Sequence, residues 1–411
     1  MYLGNLVIVA LLAIPVLVGS VFIVRYVLRR RYVAELTAHG WAFVETPSPR
    51  VAWGLNRPPF GLGRGREVDD QIIGRTAGGR EFQCFEYRCD AVRVPGHVVT
   101  MRLPHSLPEF YVVPTGGDLP GVTGTQIADH PAVVTSDVAF GQQAWASIRA
   151  SLDAFPTPVT LTVDHDQVVA LGAPRDAEEL ASFLERLAPI ADALSSPGFG
   201  SFAGEQPPAE LSVHHHPDWV YRRSDDSALD LVEVTGGGTH HAASDVLFGD
   251  TRSPISFVAL THTWQTTHTE TTTTNGQTHT RTVTDHHSEE VTEFHPSFRF
   301  PPFSVNRGWF GEGKRRTFES VDFDREFTVR CDDAKFASDL FHPQTMSYLL
   351  ATRPYPFRVD ERGAIQMDVP NQEPATLAAC LDFLEGFFGR VPDFVWQNIG
   401  IWPRPIDEVI G

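Results

Sequence analysis

The hydrophobic pattern begins with an uncharged run. From Leu6 to Val24 every residue is apolar or small, and that length at about 1.5 Å per residue matches the roughly 30 Å hydrocarbon core of a bilayer. Arg25, Arg29, Arg30 and Arg31 follow it, whereas Met1 to Asn5 hold no basic residue. The pattern predicts an uncleaved single transmembrane helix, Leu6 to Val24, in the cell membrane. Its N-terminus would lie outside and the C-terminal bulk would be cytoplasmic.

Beyond Arg31 the apolar positions take strand and helix periods. Gln71 to Arg75 and Glu81 to Tyr87 alternate about Gly78-Gly79 and predict a hairpin. Val98 to Leu103 and Phe110 to Val113 read as strands, and Val159 to Val163 with Val168 to Leu171 as a second hairpin. Gln143 to Leu152 and Ala177 to Leu194 repeat apolar residues at three and four, which predicts helices. Asp176 is placed to cap the second, with Glu178 and Glu179 in its first turn. Later, Phe327 to Arg330, Pro343 to Ala351, Phe357 to Met367 and Pro374 to Gly386 give matching pieces. Strands and helices do not interleave as βαβα, so the fold class is α+β with antiparallel sheets.

The same landmarks occur twice in one order. Ala34-Glu35-Leu36-Thr37 before Trp41 recurs as Ala209-Glu210-Leu211-Ser212 before Trp219, and Ile73-Gly74-Arg75-Thr76 as Phe248-Gly249-Asp250-Thr251. Leu107-Pro108-x-Phe110-x-Val112 recurs as Phe300-Pro301-x-Phe303-x-Val305, Pro156-Thr157-Pro158 as Pro354-Tyr355-Pro356, and Phe183-Leu184-Glu185 as Phe383-Leu384-Glu385. The offset grows from 175 to 200 along the chain, as insertions in a second copy would make it. The expected organisation is an anchor with its basic flank at 1–31, a first α+β repeat at 32–194, a linker at 195–208 and a second repeat at 209–411.

The second repeat carries an insertion, 262–290, of long Thr-x-Thr alternation broken by Asn275-Gly276, the strongest short hairpin signal. A two-residue turn there pairs positions whose numbers sum to 551. Glu270 then faces Arg281, His262 faces Glu289 and Trp264 faces His287, all favourable cross-strand pairs. One face gathers His262, Trp264, His268, Glu270, His279, Arg281 and His287, and the other is threonine. Neither face is apolar, so the ribbon should project into solvent by roughly 40 Å. It reads either as a polar spacer or as a docking arm for a protein partner, its histidines beside Asp285, Glu289 and Glu290 lending pH sensitivity.

Composition narrows the function classes. Hydrophobic residues at 42% and charged residues at 20% fit a globular chain and exclude wholesale disorder. A net charge of −18 argues against nucleic acid as partner. Four cysteines exclude a disulfide scaffold, and Cys84-x4-Cys89 offers no second pair for tetrahedral zinc. Gly61-x-Gly63-x-Gly65 lacks the preceding strand and following helix of a phosphate loop. His214-His215-His216, with His240 and His241, is the one dense imidazole cluster outside the insertion; in a strand His214 and His216 would share a face and could chelate a metal. Solvated entry-loop histidines are the plainer account. No nucleophile has a recognisable setting, and the acidic pairs Asp332-Asp333 and Glu289-Glu290 read as solvated surface.

Phe327-x-Val329-x-Cys331-x-Asp333 followed by Leu340-x-x-Pro343-x-x-Met346 resembles a segment of bacterial, actinobacterial-type membrane-anchored proteins of unknown function. In those proteins it sits in a cytoplasmic domain beyond one or two N-terminal spans. The resemblance implies a membrane-associated module and brings no catalytic residue with it. The expected function is therefore a membrane-anchored, cytoplasmic-facing interaction module, with no catalytic, cofactor or metal residue assigned and no cofactor. The alternative is a membrane-tethered hydrolase with its site in the groove between the repeats, where His342 or Asp332 would face His130 or Asp137.

Overall fold

The computed structural model describes residues 23–94, 96–129, 131–274, 277–308 and 313–408. The first described element is helix α1, residues 23–38, which carries Arg25, Arg29, Arg30, Arg31 and Glu35. Charges at that density cannot be buried in hydrocarbon. Among the described residues no helix is long and apolar enough to cross a membrane. This counts against the expected single-pass anchor, and with it against the cell-membrane localisation and the outside-to-cytoplasm orientation that rested on that anchor. Of Leu6 to Val24, all but Ile23 and Val24 lie outside the described residues.

The chain divides into two compact units, Met1–His214 and His215–Gly411. In the first, α1 leads to β1 (Ala42–Val44), β2 (Glu67–Arg75), β3 (Glu81–Arg88), β4 (His97–Arg102), β5 (Phe110–Val113), β6 (Thr125–Asp129) and β7 (Ala132–Thr135). Helix α2 (Val138–Leu152), strands β8 (Thr160–Asp164) and β9 (Gln167–Ala173), helix α3 (Ala177–Leu194) and the two-residue strand β10 (Ser212–Val213) complete it. The sheet order is β1-β2-β3-β4-β9-β8-β5-β7-β6, with every pair antiparallel.

The core forms where helix and strand periods meet. Leu180, Leu184, Leu187, Ile190, Ala191 and Leu194 of α3 are buried in one cluster with Cys84, Val99, Met101, Val168 and Ala170 of the sheet. Each such leucine contributes about 1.5–3 kcal/mol of burial. Asp176 caps α3 by accepting from the amides of Glu178 and Glu179. Ser195 to Pro208, expected as a linker, includes a 3-10 helix at Pro197–Phe202, whose buried Phe199 meets Phe140 edge-on at 5.8 Å.

The second unit comprises β11 (His216–Ser224), β12 (Thr239–Phe248), β13 (Ile255–Thr274), β14 (Gln277–Pro296), β15 (Phe303–Asn306) and β16 (Arg315–Arg316). After them come α4 (Val321–Glu326), β17 (Thr328–Cys331), α5 (Ala334–Leu340), α6 (Pro343–Thr352), β18 (Phe357–Val359), β19 (Ile365–Met367), α7 (Pro374–Gly389) and α8 (Asp393–Asn398). Its strands follow the order β11-β12-β13-β14-β19-β18-β15-β17-β16. From β11 to β16 this repeats the order of the first unit's nine-stranded sheet.

The registers repeat as well. One row of paired positions crosses the first sheet as Ala42, Ile73, Gln83, Thr100, Val169, Thr162, Tyr111, Val134 and Gln126. The corresponding row of the second is Val220, Phe248, Val258, Glu293, Gln366, Arg358, Ser304, Arg330 and Arg315. In β2 the ladder slips between Asp69 and Ile72, and in β12 between Ser244 and Leu247. Asp70 and Asp245 stand in those bulges at φ 51° and 50°. Trp41 meets Phe82 edge-on at 5.2 Å, as Trp219 meets Phe257 at 4.8 Å. Asp137 accepts from the amide of Phe140 and Asp333 from that of Phe336, each opening a helix.

Candidate interaction site

Threonine is β-branched and favours extended backbone, and the twenty residues before Asn275 and the twenty after Gly276 form one uninterrupted ladder. It runs from Ile255↔Pro296 to Thr274↔Gln277, every pair summing to 551. Asn275 and Gly276 themselves lie outside the described residues. Strand β12 flanks β13 as far as Gln265, and β19 flanks β14 at Glu293 and Phe294. Among the described residues, the nine pairs from Thr266↔Asp285 to Thr274↔Gln277 thus have a strand on neither side. Nine residues at about 3.3 Å extend roughly 30 Å. The reach is shorter than the expected 40 Å because β12 supports the base.

At that base the rings of His241, His262, Trp264 and His287 stack in series, with centroids 5.1, 4.8 and 5.1 Å apart. His262 is fully buried; its Nδ1 lies 2.9 Å from Glu289 Oε1, and its Nε2 lies 2.9 Å from Nδ1 of His241. Glu289 also accepts from the amide and hydroxyl of Thr235. Burial works against its charge, but the hydrogen bonds from His262 and Thr235 prevail and hold its carboxyl below the usual range. Gly236 fits over Trp264 because a Cβ there would stand 2.6 Å from the indole.

Farther out the contacts are exposed polar pairs. Arg281 donates twice to Glu270 Oε2, at 2.8 and 2.7 Å, and His268 Nδ1 lies 2.9 Å from Asp285. Such solvated pairs contribute about 0.2–1 kcal/mol each. The other face presents Thr267, Thr269, Thr271, Thr280, Thr282 and Thr284 to solvent.

The remaining residues singled out by the sequence have other places. His214 and His215 form a turn, not a strand, so His214 and His216 do not share a face. His216 stacks on Trp219 at 4.0 Å, and desolvation first, then neighbouring His215, lowers its pKa. His240 is exposed at φ 58°. Gly61 and Gly63 are required by crowding: a Cβ on Gly61 would lie 1.8 Å from the carbonyl of Asn56, and one on Gly63 would lie 2.3 Å from Asp90. Cys84, Cys331 and Cys380 are buried and Cys89 half-buried, all as free thiols. Desolvation raises the Cys84 and Cys331 thiols and pushes Cys380 up to about 11. Of the two acidic pairs expected at the surface, Asp333 caps α5 and Glu289 holds His262. Asp137 caps α2 and His342 caps α6, while His130 lies outside the described residues.

Sequence reading missed a buried polar network in the first unit. Asp164 accepts from the amides of Asn56 and Arg57, and Arg57 donates to the carbonyls of Leu107 and Val163. His165 Nε2 lies 2.9 Å from Asn56 Oδ1, and Ser106 Oγ lies 3.5 Å from His165 Nδ1. The outline suggests nucleophile, base and orienting amide. Yet the Ser106 hydroxyl is held by the carbonyl of Glu205. Burial first, then the charge of Arg57, pushes His165 down to about 3. An imidazole so depressed is a poor base near neutrality. No one-letter motif marks this network, since its members come from loops fifty and more residues apart.

No family model matches the chain, and no curated protein matches it. Among solved structures, the crystal structure of the mycobacterial trehalose monomycolate transport factor A, TtfA, is 12% identical with a TM-score of 0.34, over 40% of this chain and 93% of that one.

Proposed function

We propose that this protein is a non-enzymatic interaction module whose ribbon, β13–β14 beyond Gln265, docks a protein partner by strand addition. One observation carries the reading: nine consecutive ladder pairs have no flanking strand among the described residues. Unpaired strand edges present rows of amides and carbonyls to any extended segment that can match them. A two-stranded ribbon is marginal in water, so a third strand would stabilise it as well as the complex. The anchored base, with buried His262 held by Glu289 and His241, fixes the direction in which the arm leaves the sheet.

A photoreactive amino acid placed at Thr269 or Thr282 in the living cell tests the reading. Both positions should yield one adduct of defined mass, and the same group at exposed Val321 on α4 should not. No adduct from the ribbon, or the same adducts from Val321, would exclude the docking role.

A further inference from the structure

We infer that the partner strand is supplied by a second copy of this chain, the outer edge of β14 pairing antiparallel with itself about a two-fold axis at Val283. The inference rests on the docking reading above and names its occupant. A two-fold normal to the sheet keeps like faces together, so paired positions must sum to an even number. In the register summing to 566, Arg281 stands opposite Asp285 of the second copy, twice by symmetry, and Val283 meets itself on the axis. Val283 is the one aliphatic residue between Gln277 and Glu290.

Neighbouring registers are worse. Sums of 562 and 570 put Arg281 on Arg281 and Asp285 on Asp285, and like charges directly opposite destabilise a ladder. Sums of 564 and 568 leave each charge facing Val283 or a histidine. Length selects the same register. With 566, Gln277 of one copy stands opposite Glu289 of the other, just short of Glu293, where β19 occupies the edge. At 568 it stands opposite Val291, which leaves only Thr292 between the new ladder and Glu293, where β19 sits. The 566 register thus gives a ladder of thirteen positions from Gln277 to Glu289, roughly 40 Å long, that stays clear of the edge β19 occupies.

The side chains are available for the pairing. Arg281 is 75% exposed and spends only its Nε and one Nη on Glu270. Asp285, 46% exposed, engages His268 through Oδ2. An Arg281–Asp285 contact between copies would therefore extend each internal pair into a chain of alternating charge. Two marginal ribbons would become one four-stranded sheet with a threonine face and a charged face.

Light scattering on the full chain tests this, the dimer having twice the 45.5 kDa chain mass. The unsubstituted protein should associate. Arg281→Asp alone and Asp285→Arg alone should each weaken the dimer at least tenfold, while an equimolar mixture of the two variants should restore it as a heterodimer. Mixing leaves each variant's internal contacts unchanged, so restoration isolates the contact between copies. Val283→Cys should form a symmetric disulfide under mild oxidation, and Thr280→Cys should not. A protein that stays monomeric at high concentration, or a dimer indifferent to both charge reversals, overturns the self-pairing. In either case, a ribbon adduct to a different protein in the cell would still uphold the docking reading.

Discussion

Glu289 keeps its charge in a half-covered position because three donors converge on it, one from His262 and two from Thr235. Its folded pKa is lowered, so its contribution is present above the unfolded value and is lost as pH falls through the folded one. Glu289→Gln should cost about 1 kcal/mol near neutrality, with the difference vanishing in acid below the usual glutamate range. Protection of β14 amides against exchange at the two pH values measures this; an equal cost at both would refute it. Asp164 and His165 oppose each other. Burial outweighs the Arg57 charge and raises Asp164 to about 7, so the folded state holds a proton that the unfolded state has released, and stability falls as pH rises from about 4 to 7. His165, pushed down to about 3, makes stability rise with pH from there to its unfolded value of about 6.5. Between pH 4 and 6.5 the slopes offset. Asp164→Asn should therefore unmask a rise of up to about 1.4 kcal/mol per pH unit, read from exchange of β8 amides, and a flat profile would contradict the assignment.

At the scale of elements, local chemistry was legible and lateral pairing was not. The ribbon register follows from Asn275-Gly276 and alternation alone, and Asp176 announces α3 by standing before two glutamates. Strand β12 was hidden because its alternation slips at the Asp245 bulge. The same blindness left Glu289 as surface, and the shared face that chelation would need from His214 and His216 required a strand. A carboxylate's fate depends on what packs beside it, and the imidazoles fell in a turn. Asp137 and Asp333, which the sequence did not mark as caps, are caps in the structure and can be tested as such. Asp137→Ala and Asp333→Ala should each cost about 1 kcal/mol, checked by urea unfolding, and a neutral result at either would show that its Phe amide finds another acceptor. Because nothing flanks the distal ribbon among the described residues, replacing Thr266 to Thr284 by a short turn should leave the melting temperature within about 2 °C, equivalent to under roughly 1 kcal/mol. Global unfolding of that variant would place the ribbon in the core.

Across the whole molecule, the net charge of −18 disfavours polyanions. The repeated strand order then allows each unit to act as a control for the other. The most specific repetition is conformational: an aspartate at φ 51° in β2 and another at φ 50° in β12, each inside a slip of the ladder. Left-handed backbone costs an ordinary L-residue about 1–2 kcal/mol, whereas Asn and Asp tolerate it and Gly adopts it freely. The two aspartates differ in their side-chain partners, Asp70 binding Arg29 and Asp245 receiving the hydroxyl of Tyr221. If the bulge is a shared requirement of the fold, substitutions should rank alike in both units despite those different partners. Asparagine should be mildest, glycine intermediate because it loses the side-chain contact, and valine worst by about 1–2 kcal/mol through backbone strain. Exchange protection of β2 and of β12 in the paired variants measures each effect within its own ladder. A valine tolerated at Asp245 but not at Asp70 would mean that the Arg29 contact, and not the bulge, sets the first unit's preference, and the two ladders would then be alike in path but not in what holds them.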